Sequence, residues 1–280
     1  MNDMNPKRLT IALAGNPNSG KTTIFNRLTG TRQKVGNWPG VTVEKKEGVI
    51  HWRGREILVV DLPGTYSLTP FSIEEIVARD FVLDESPDVI IDIIDASNLE
   101  RSLYLATQLR EIDCRVVFVL NMADVAKSRG IKIDVEKLSE LLDVPVVFTV
   151  GNKNEGIDAL LETAVQIAES DKAGTCRRRV QYSKDIEAAI QELMEVIEKC
   201  HSDAFPYNVR WTAVKLLEDD KIIQERLTQY LPAFAERIMD QTRRLRIRLI
   251  DRFEDDPEIL TTDERYGFIS GIMKEVMTTS

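Results

Sequence analysis

An apolar run followed by a glycine-rich loop lies near the N-terminus, at Leu9–Thr22, which reads LTIALAGNPNSGKT. The first six residues predict a buried β-strand, and the last eight fit the pattern G-x-x-x-x-G-K-[ST] of a phosphate-binding loop that leads into a helix. The glycines allow a tight turn whose backbone N–H groups converge on phosphate oxygens, and the positive end of the next helix faces the same oxygens. The alternative interpretation is a glycine-rich strand-to-helix turn without a ligand.

The residues of this loop have predicted roles toward a nucleotide. Lys21 is expected to reach the β- and γ-phosphates, and the hydroxyl of Thr22 is expected to ligate Mg²⁺. The other nucleotide contacts that we expect from this loop are Gly15, Asn16, Asn18, Ser19, Gly20 and Thr23.

A second motif, DLPG, ends the apolar run at Ile57–Val60. Its carboxylate, Asp61, can hold Mg²⁺ through a water, and the N–H of Gly64 can bond the γ-phosphate. Taken alone, D-x-x-G is typical of a solvated turn, so the assignment of this motif to nucleotide binding depends on its position downstream of the phosphate loop.

The irregular segment Val35–Glu44, the first switch, supplies further candidates. Thr42 is the expected second hydroxyl ligand of Mg²⁺, and Gly40 is expected to contact the nucleotide. We interpret Trp38 as an exposed loop aromatic with a dynamic role rather than a core residue.

A motif for the base, NMAD at Asn121–Asp124, follows a predicted strand and lies at the sheet edge where open α/β folds bind ligands. Asp124 can accept the N1–H and the N2–H₂ of guanine, a pairing that adenine cannot offer. Asn121 and Met122 are expected beside the base, although Met122 stands where lysine is usual. Thr149 and Val150 are the expected contacts to the guanine oxygen, and they depart from the usual Ser-Ala.

The order of apolar runs predicts an α/β domain over residues 1–170, a P-loop domain with a mixed, six-stranded, mainly parallel sheet. Apolar residues at helical spacing then predict a small all-α domain over 171–280, without β-strands, after a polar linker at Asp171–Arg179. The predicted strands are Leu9–Ala14, Lys46–Trp52 as an antiparallel edge strand, Ile57–Val60, Val89–Ile94, Arg115–Leu120 and Val146–Thr149. The predicted helices of the first domain are Thr22–Leu28, Ile73–Leu83, Leu99–Glu111, Val135–Leu142 and Ile157–Ala168.

Composition narrows the classes of function. The 280 residues carry 37 basic and 46 acidic side chains, a net charge of −9, which disfavours nucleic acid as a partner. Three scattered cysteines support neither a disulfide framework nor a metal site. No apolar stretch approaches the roughly 20 residues that span a bilayer, so the chain as given is expected to be soluble.

Three further stretches resemble one family. These are GNWPGVT at Gly36–Thr42, DLPGTYSL at Asp61–Leu68 (the second switch) and DERY at Asp263–Tyr266. Together with the phosphate loop, they resemble the N-terminal cytoplasmic part of the bacterial ferrous iron transporter FeoB.

The resemblance implies a GTP-binding G domain followed by a helical domain that is described in the family as a guanine-nucleotide dissociation inhibitor. It also implies a membrane region beginning just after Tyr266, so that this chain is a soluble fragment from the cytoplasmic face of the inner membrane. The implied partners are GTP and GDP, the membrane permease region in cis and small Feo accessory proteins, and a homo-oligomer is a further expectation.

The residue after DLPG is Thr65, where many signalling GTPases carry a water-orienting glutamine. We therefore predict slow hydrolysis, with water held by backbone groups of residues 36–42 and 64–66. A monovalent cation can supply the positive charge that an arginine finger supplies in other GTPases. The resemblance implies potassium bound by Asn18 and the carbonyls of Gly36 and Trp38. Asn18 without a cation is the open alternative.

Two other functions share these motifs. One is a nucleotide-dependent binding switch in which turnover is incidental. The other is a ribosome-assembly or tRNA-modifying GTPase, which usually carries a basic RNA-binding appendage that this acidic chain lacks.

Overall fold

The computed structural model describes residues 8–30, 32–149, 156–170, 180–200 and 205–279. The chain divides into two compact units. The α/β unit comprises Met1–Arg179 together with Ile269–Ser280, and the helical unit comprises Val180–Phe268. The expected linker at Asp171–Arg179 lies outside the described residues.

The α/β unit is built on a seven-stranded mixed sheet with the strand order β2-β3-β4-β1-β5-β6-β8. The pairs β2–β3 and β3–β4 are antiparallel, and the remaining pairs are parallel, which confirms the predicted class. The strands are β1 Leu9–Gly15, β2 Gln33–Asn37, β3 Glu44–Trp52, β4 Arg55–Asp61, β5 Val89–Asp95, β6 Val116–Asn121 and β8 Val146–Phe148.

The prediction of six strands was wrong because β2 was taken for irregular chain. Residues 33–37 pair with β3, so β3 is not the edge strand that was expected. Strand β2 is polar and almost entirely exposed. An edge strand without a buried face lacks the apolar alternation by which strands are detected in a sequence.

In the described part of the α/β unit six helices accompany the sheet, and one of them, the six-residue α4, was not predicted. Helix α2 begins at a capping box formed by Ser72 and Glu75 and is continued by a single π-turn at Phe81–Glu85. The helices are α1 Lys21–Thr29, α2 Ile73–Asp80, α3 Leu99–Ile112, α4 Ala123–Ser128, α5 Val135–Leu142 and α6 Ile157–Glu169.

A second, two-stranded sheet pairs β7, Ile131–Ile133, with β9, Met277–Thr279. The expectation of no strand after residue 170 was therefore wrong. Each strand has three residues, too few to show a period, so their pairing depends on tertiary context.

The helical unit contains the predicted all-α part, with α7 Lys184–Cys200, α8 Val209–Leu217, α9 Lys221–Tyr230, α10 Ala235–Phe253 and the first part of α11, Pro257–Val276. At its centre the carboxylate of Glu218 accepts from Lys215 Nζ at 2.7 Å and lies 2.7 Å from Arg265 Nη2, and the hydroxyl of Thr261 donates to it at 2.9 Å. Although burial opposes ionisation, the two cations lower the pKa of Glu218 to about 2. None of the described helices is both long enough and apolar enough to cross a bilayer.

A buried acidic side chain lies on the central strand β5. Asp92 is only 1% exposed, and the strand register places it between Ala14 of β1 and Phe118 of β6. Its Oδ2 has no hydrogen-bond partner among the described residues. Burial raises the pKa of Asp92 to about 8, so the native carboxyl is protonated at neutral pH.

We expect the substitution Asp92→Asn to remove a pH dependence of stability. The carboxyl ionises near its ordinary pKa of 3.8 in the unfolded chain and at about 8 in the native state. Because the native state then binds more protons, the free energy of unfolding falls as the pH rises from about 4 to about 8 and is level above that. Asparagine binds no such proton, so the stability of the variant relative to the wild type should rise by on the order of 5 kcal/mol between pH 4 and pH 8.

Urea unfolding at both pH values measures this difference, with Asp158→Asn as a control at an exposed acidic position of the same unit. Parallel stability curves for wild type and Asp92→Asn would contradict the assignment of a protonated Asp92.

Candidate functional site

The loop between β1 and α1 has the geometry of an anion cradle. It is closed by a hydrogen bond from Ser19 N to Asn16 O at 3.1 Å. Gly15, Asn18 and Gly20 have positive φ angles of 148°, 68° and 89°. A Cβ on Gly15 would lie 2.7 Å from the carbonyl oxygen of Ile93, so only glycine lets β1 enter the loop beside β5.

Unpaired polar groups converge in this cradle. No side chain caps the N-terminus of α1, and its first turn carries no acidic residue. The Oδ1 of Asn16 and the Oγ of Ser19 are buried and have no hydrogen-bond partner within the described ranges. Uncapped N–H groups at a helix N-terminus attract an anion, so the loop fits a phosphate group.

The most buried charges of the site form one ion pair, between the ammonium of Lys21 and the Oδ1 of Asp61. The side chains are 10% and 8% exposed. Burial raises the pKa of Asp61, and the charge of Lys21 opposes that rise. The register of β1 with β4 places Asp61 opposite Leu13, which brings the end of the DLPG strand to the phosphate loop.

The oxygen donors here fit a magnesium ion. The hydroxyl of Thr22, in the first turn of α1, and the carboxylate of Asp61 are the hard oxygen ligands that Mg²⁺ prefers. The described residues contain no cluster of three or more His, Cys, Asp or Glu that could hold a metal ion.

The second switch packs directly on the phosphate loop. The N–H of Thr65 donates to Gly15 O at 3.3 Å, and a Cβ on Gly64 would lie 3.3 Å from Pro17. Thr65 is 4% exposed, and its backbone N–H is engaged by this bond. Of the backbone groups that were expected to hold water, the N–H of Thr65 is therefore already occupied.

The first switch is ordered as a hairpin rather than as irregular chain. Gly36 pairs with Lys45 in the β2–β3 ladder, and the carbonyl of Trp38 accepts from Val41 N at 3.3 Å. Gly40, with φ 75°, lies in the connecting turn.

The expectation of an exposed Trp38 was wrong. Its side chain is 8% exposed and meets the ring of Phe81 edge to face, with 5.4 Å between centroids. The ammonium of Lys45 lies 5.1 Å from the indole centroid. The sequence could not reveal this contact because Phe81 is 43 positions away and belongs to the π-turn after α2.

The base motif is joined to the phosphate loop. The Nδ2 of Asn121 donates to Ser19 O at 2.9 Å, and a Cβ on Gly20 would lie 2.1 Å from that nitrogen. Met122 follows in the left-handed conformation, with φ 59°, and precedes α4. The side chain of Asp124 is exposed, where a base can reach it.

Thr149 continues this edge of the site. Its N–H donates to Leu120 O at 3.0 Å, and its side chain is 1% exposed. Val150, predicted beside the base, lies outside the described residues.

The structure therefore brings together the phosphate loop, Asp61, Gly64 and Asn121. It does not bring Thr42 to Thr22 or Asp61 by any described contact, and the side chain of Thr42 is exposed in the turn after β2. Thr23 is also exposed, in the first turn of α1.

One contact of the site was missed by sequence reasoning. The backbone carbonyl of Arg101, in the first turn of α3, accepts from the Nδ2 of Asn16 at 3.2 Å, and its guanidinium stacks on Tyr66. The available signal was a basic side chain at a helix N-terminus, where the helix dipole disfavours it.

Both units match known families. Residues 9–164 match the ferrous iron transport protein B family, and residues 182–278 match the FeoB cytosolic helical domain. The chain is 40% identical over 276 residues to an Fe(2+) transport protein A/Fe(2+) transporter FeoB fusion protein of Porphyromonas gingivalis, covering 97% of this chain and 32% of that protein. It is 38% identical over 280 residues to the Fe(2+) transporter FeoB of Escherichia coli, covering 98% and 34%. The chain thus spans about a third of the length of these curated relatives.

Solved structures agree with this relationship. A GDP-bound variant of the S. thermophilus FeoB G-domain superposes with a TM-score of 0.84 at 39% identity, covering 96% of this chain and all of that one. The cytosolic domain of T. maritima FeoB in its GMPPNP form gives a TM-score of 0.81 at 35% identity, covering 96% and 99%. The chain belongs to the FeoB family of ferrous iron transport proteins and carries its G domain and its cytosolic helical domain.

Proposed function

We propose that this chain binds GTP and GDP with Mg²⁺, hydrolyses GTP slowly, and acts as the cytoplasmic regulatory part of an Fe²⁺ transporter at the inner membrane. The observation that carries the proposal is the buried Lys21–Asp61 pair at the mouth of an uncapped phosphate loop. The GDP and GMPPNP forms of the similar structures support a guanine nucleotide as the ligand. The membrane permease region in cis, small Feo accessory proteins and a homo-oligomer belong to the same proposal.

Nucleotide binding must exchange the partners of the buried pair. Lys21 turns from Asp61 to the β- and γ-phosphates. Unless a magnesium ion takes the place of Lys21, Asp61 then remains a buried carboxylate without a counter-ion, which is strongly unfavourable. Thr22 and Asp61 would hold the magnesium ion directly or through water, with Thr42 as a third ligand once the first switch closes. When bound, the ion neutralises charge on the phosphate oxygens.

Hydrolysis depends on positioned backbone rather than on a catalytic side chain. The side chain of Thr65 carries no amide that could orient water, and the backbone N–H of Thr65 donates to the carbonyl of Gly15. The N–H of Gly64, packed against Pro17, remains to bond the γ-phosphate. Loss of the γ-phosphate removes the contacts of Gly64 and Thr42, so both switches are expected to open after turnover.

A nucleotide-dependent binding switch is the second candidate, and the composition of the second switch favours it. Thr65 replaces the usual glutamine, and after this segment Phe71 and Ile73 are 79% and 50% exposed. Single-turnover hydrolysis measured beside nucleotide release separates the two, because negligible turnover with fast exchange indicates a binding switch.

We expect Asp124→Asn to change the base that is recognised. The carboxylate accepts two hydrogen bonds from guanine, and charged hydrogen bonds contribute about 1.5–3 kcal/mol each, so GDP affinity should fall roughly 100-fold. Xanthine presents an oxygen in place of the guanine amine, so the variant should gain affinity for xanthosine diphosphate. Fluorescence titrations with GDP, GTP, ADP and xanthosine diphosphate measure this, with Glu136→Gln as an exposed acidic control. Unchanged guanine preference in Asp124→Asn would contradict the assignment of the base motif.

We expect Asp61→Asn to uncouple nucleotide binding from magnesium. Without the carboxylate, Lys21 has no internal partner to leave, so GDP affinity in excess EDTA should exceed that of the wild type. Addition of Mg²⁺ should then raise the affinity much less than in the wild type. The empty variant should also melt several degrees lower, because a buried ammonium is left unpaired. Calorimetric GDP titrations with and without Mg²⁺ measure this. An equal loss of affinity under both conditions would contradict the proposed exchange of partners between Lys21 and Asp61.

We expect GTP hydrolysis to be faster in potassium than in sodium at equal ionic strength, by roughly tenfold or more, because a fixed cation stabilises the developing charge. Asn18, exposed at the top of the phosphate loop, is the side chain proposed to hold it together with the carbonyls of Gly36 and Trp38. Asn18→Ala should abolish the difference in rate between the two salts. Equal rates in the two salts, or a potassium effect that survives Asn18→Ala, would reject the potassium site.

A further inference from the structure

The second switch contacts the N-terminal turn of α3 through a stacked pair. The guanidinium carbon of Arg101 lies 3.8 Å from the centroid of the Tyr66 ring. Tyr66 is the second residue after Gly64, and 36% of its surface is exposed. An arginine at this distance over an aromatic face is a favourable cation–π contact.

The same arginine is fixed to the phosphate loop through its backbone. The Nδ2 of Asn16 donates to the carbonyl of Arg101 at 3.2 Å, and Asn16 is only 5% exposed. Asn16 therefore fixes the first turn of α3 relative to the loop. The side chain of Arg101, which lies in that turn, fixes the ring of Tyr66.

Apart from the stack on Tyr66, no contact in the described part of the chain explains a positive side chain at position 101. Arg101 has no carboxylate at ion-pair distance among the described residues, and its side chain is exposed, so neither charge pairing nor burial explains it. The first turn of a helix disfavours a positive side chain. The stack on Tyr66 is the contact that remains.

The stack lies at the end of a short row of contacts along the second switch. Gly64 packs on Pro17, and Thr65 N bonds Gly15 O at 3.3 Å, which is long for a hydrogen bond. The next residue, Tyr66, is held by Arg101. The long hydrogen bond of Thr65 to the phosphate loop is therefore followed directly by Tyr66, whose ring is held by Arg101.

We propose that Arg101 is a positioning residue for GTP hydrolysis. Its guanidinium holds Tyr66 and thereby keeps the backbone of Gly64 and Thr65 in place against the phosphate loop. This inference rests on the proposed hydrolysis, because the side chain of Thr65 has no amide to orient water and the backbone of this segment must do so. Arg101 does not touch the reacting atoms.

Two measurements on the full chain test the role of Arg101. Hydrogen exchange of the Thr65 amide, recorded without nucleotide, reports the packing of the segment independently of turnover. Steady-state hydrolysis separates kcat from KM, and GDP affinity and melting temperature report any general damage. The variants are Arg101→Ala, Tyr66→Ala, the double variant and Tyr66→Phe, which keeps the ring. Glu100→Ala is the matched control, since Glu100 is exposed in the same turn of α3.

The stack predicts that Arg101→Ala speeds exchange of the Thr65 amide and lowers kcat, each by roughly two- to fivefold, the range that an exposed cation–π contact allows. KM, GDP affinity and melting temperature should stay unchanged. Tyr66→Ala should have the same effect as Arg101→Ala, and the double variant should be no worse than either. Tyr66→Phe, which keeps the ring, should lose less than Tyr66→Ala, and Glu100→Ala should match the wild type.

Unchanged exchange in Arg101→Ala overturns the proposal, and so does faster exchange with an unchanged kcat. A wild type that binds GTP but does not hydrolyse it overturns the proposed function instead, and the exchange measurement still decides whether Arg101 holds the segment.

Discussion

The buried pair of Lys21 and Asp61 is the interaction on which the rest of the site depends. A buried ammonium or carboxylate alone costs several kcal/mol, so each of the two charges needs the other while no nucleotide is bound. The proposed ligands, a phosphate group for Lys21 and a magnesium ion for Asp61, would satisfy both groups at once. The pair therefore favours the two ligands together over either alone.

The fold brings these charges together through the sheet order. Strand β1 lies between β4 and β5, so the phosphate loop leaves the sheet beside the carboxyl end of β4, where Asp61 ends the strand. This is the edge at which open α/β sheets bind ligands. Asn121, from the end of β6, then bonds the phosphate loop at Ser19 O. The groups proposed for phosphate and metal thus lie side by side, and the base motif is hydrogen-bonded to the phosphate loop through Asn121.

The parts of this arrangement that the sequence predicts are those with a strong local signal. The phosphate loop, the parallel strands and the amphipathic helices each carry a period or a motif within about 15 residues. Strand β2, the short β7–β9 pair and helix α4 have no such signal, because they are too short or too polar to show a period. The burial of Trp38 and the stack of Arg101 on Tyr66 join residues 43 and 35 positions apart, and only the folded chain shows them.

The exchange of partners at Lys21 and Asp61 is tested most directly by a structure of this chain with GMPPNP and Mg²⁺. The exchange of partners predicts that Lys21 Nζ lies about 2.7–3.1 Å from an oxygen of the β- or γ-phosphate and has left Asp61, which faces the metal. A bound nucleotide with Lys21 still paired to Asp61, or a nucleotide bound away from Gly15–Thr22, would contradict this exchange.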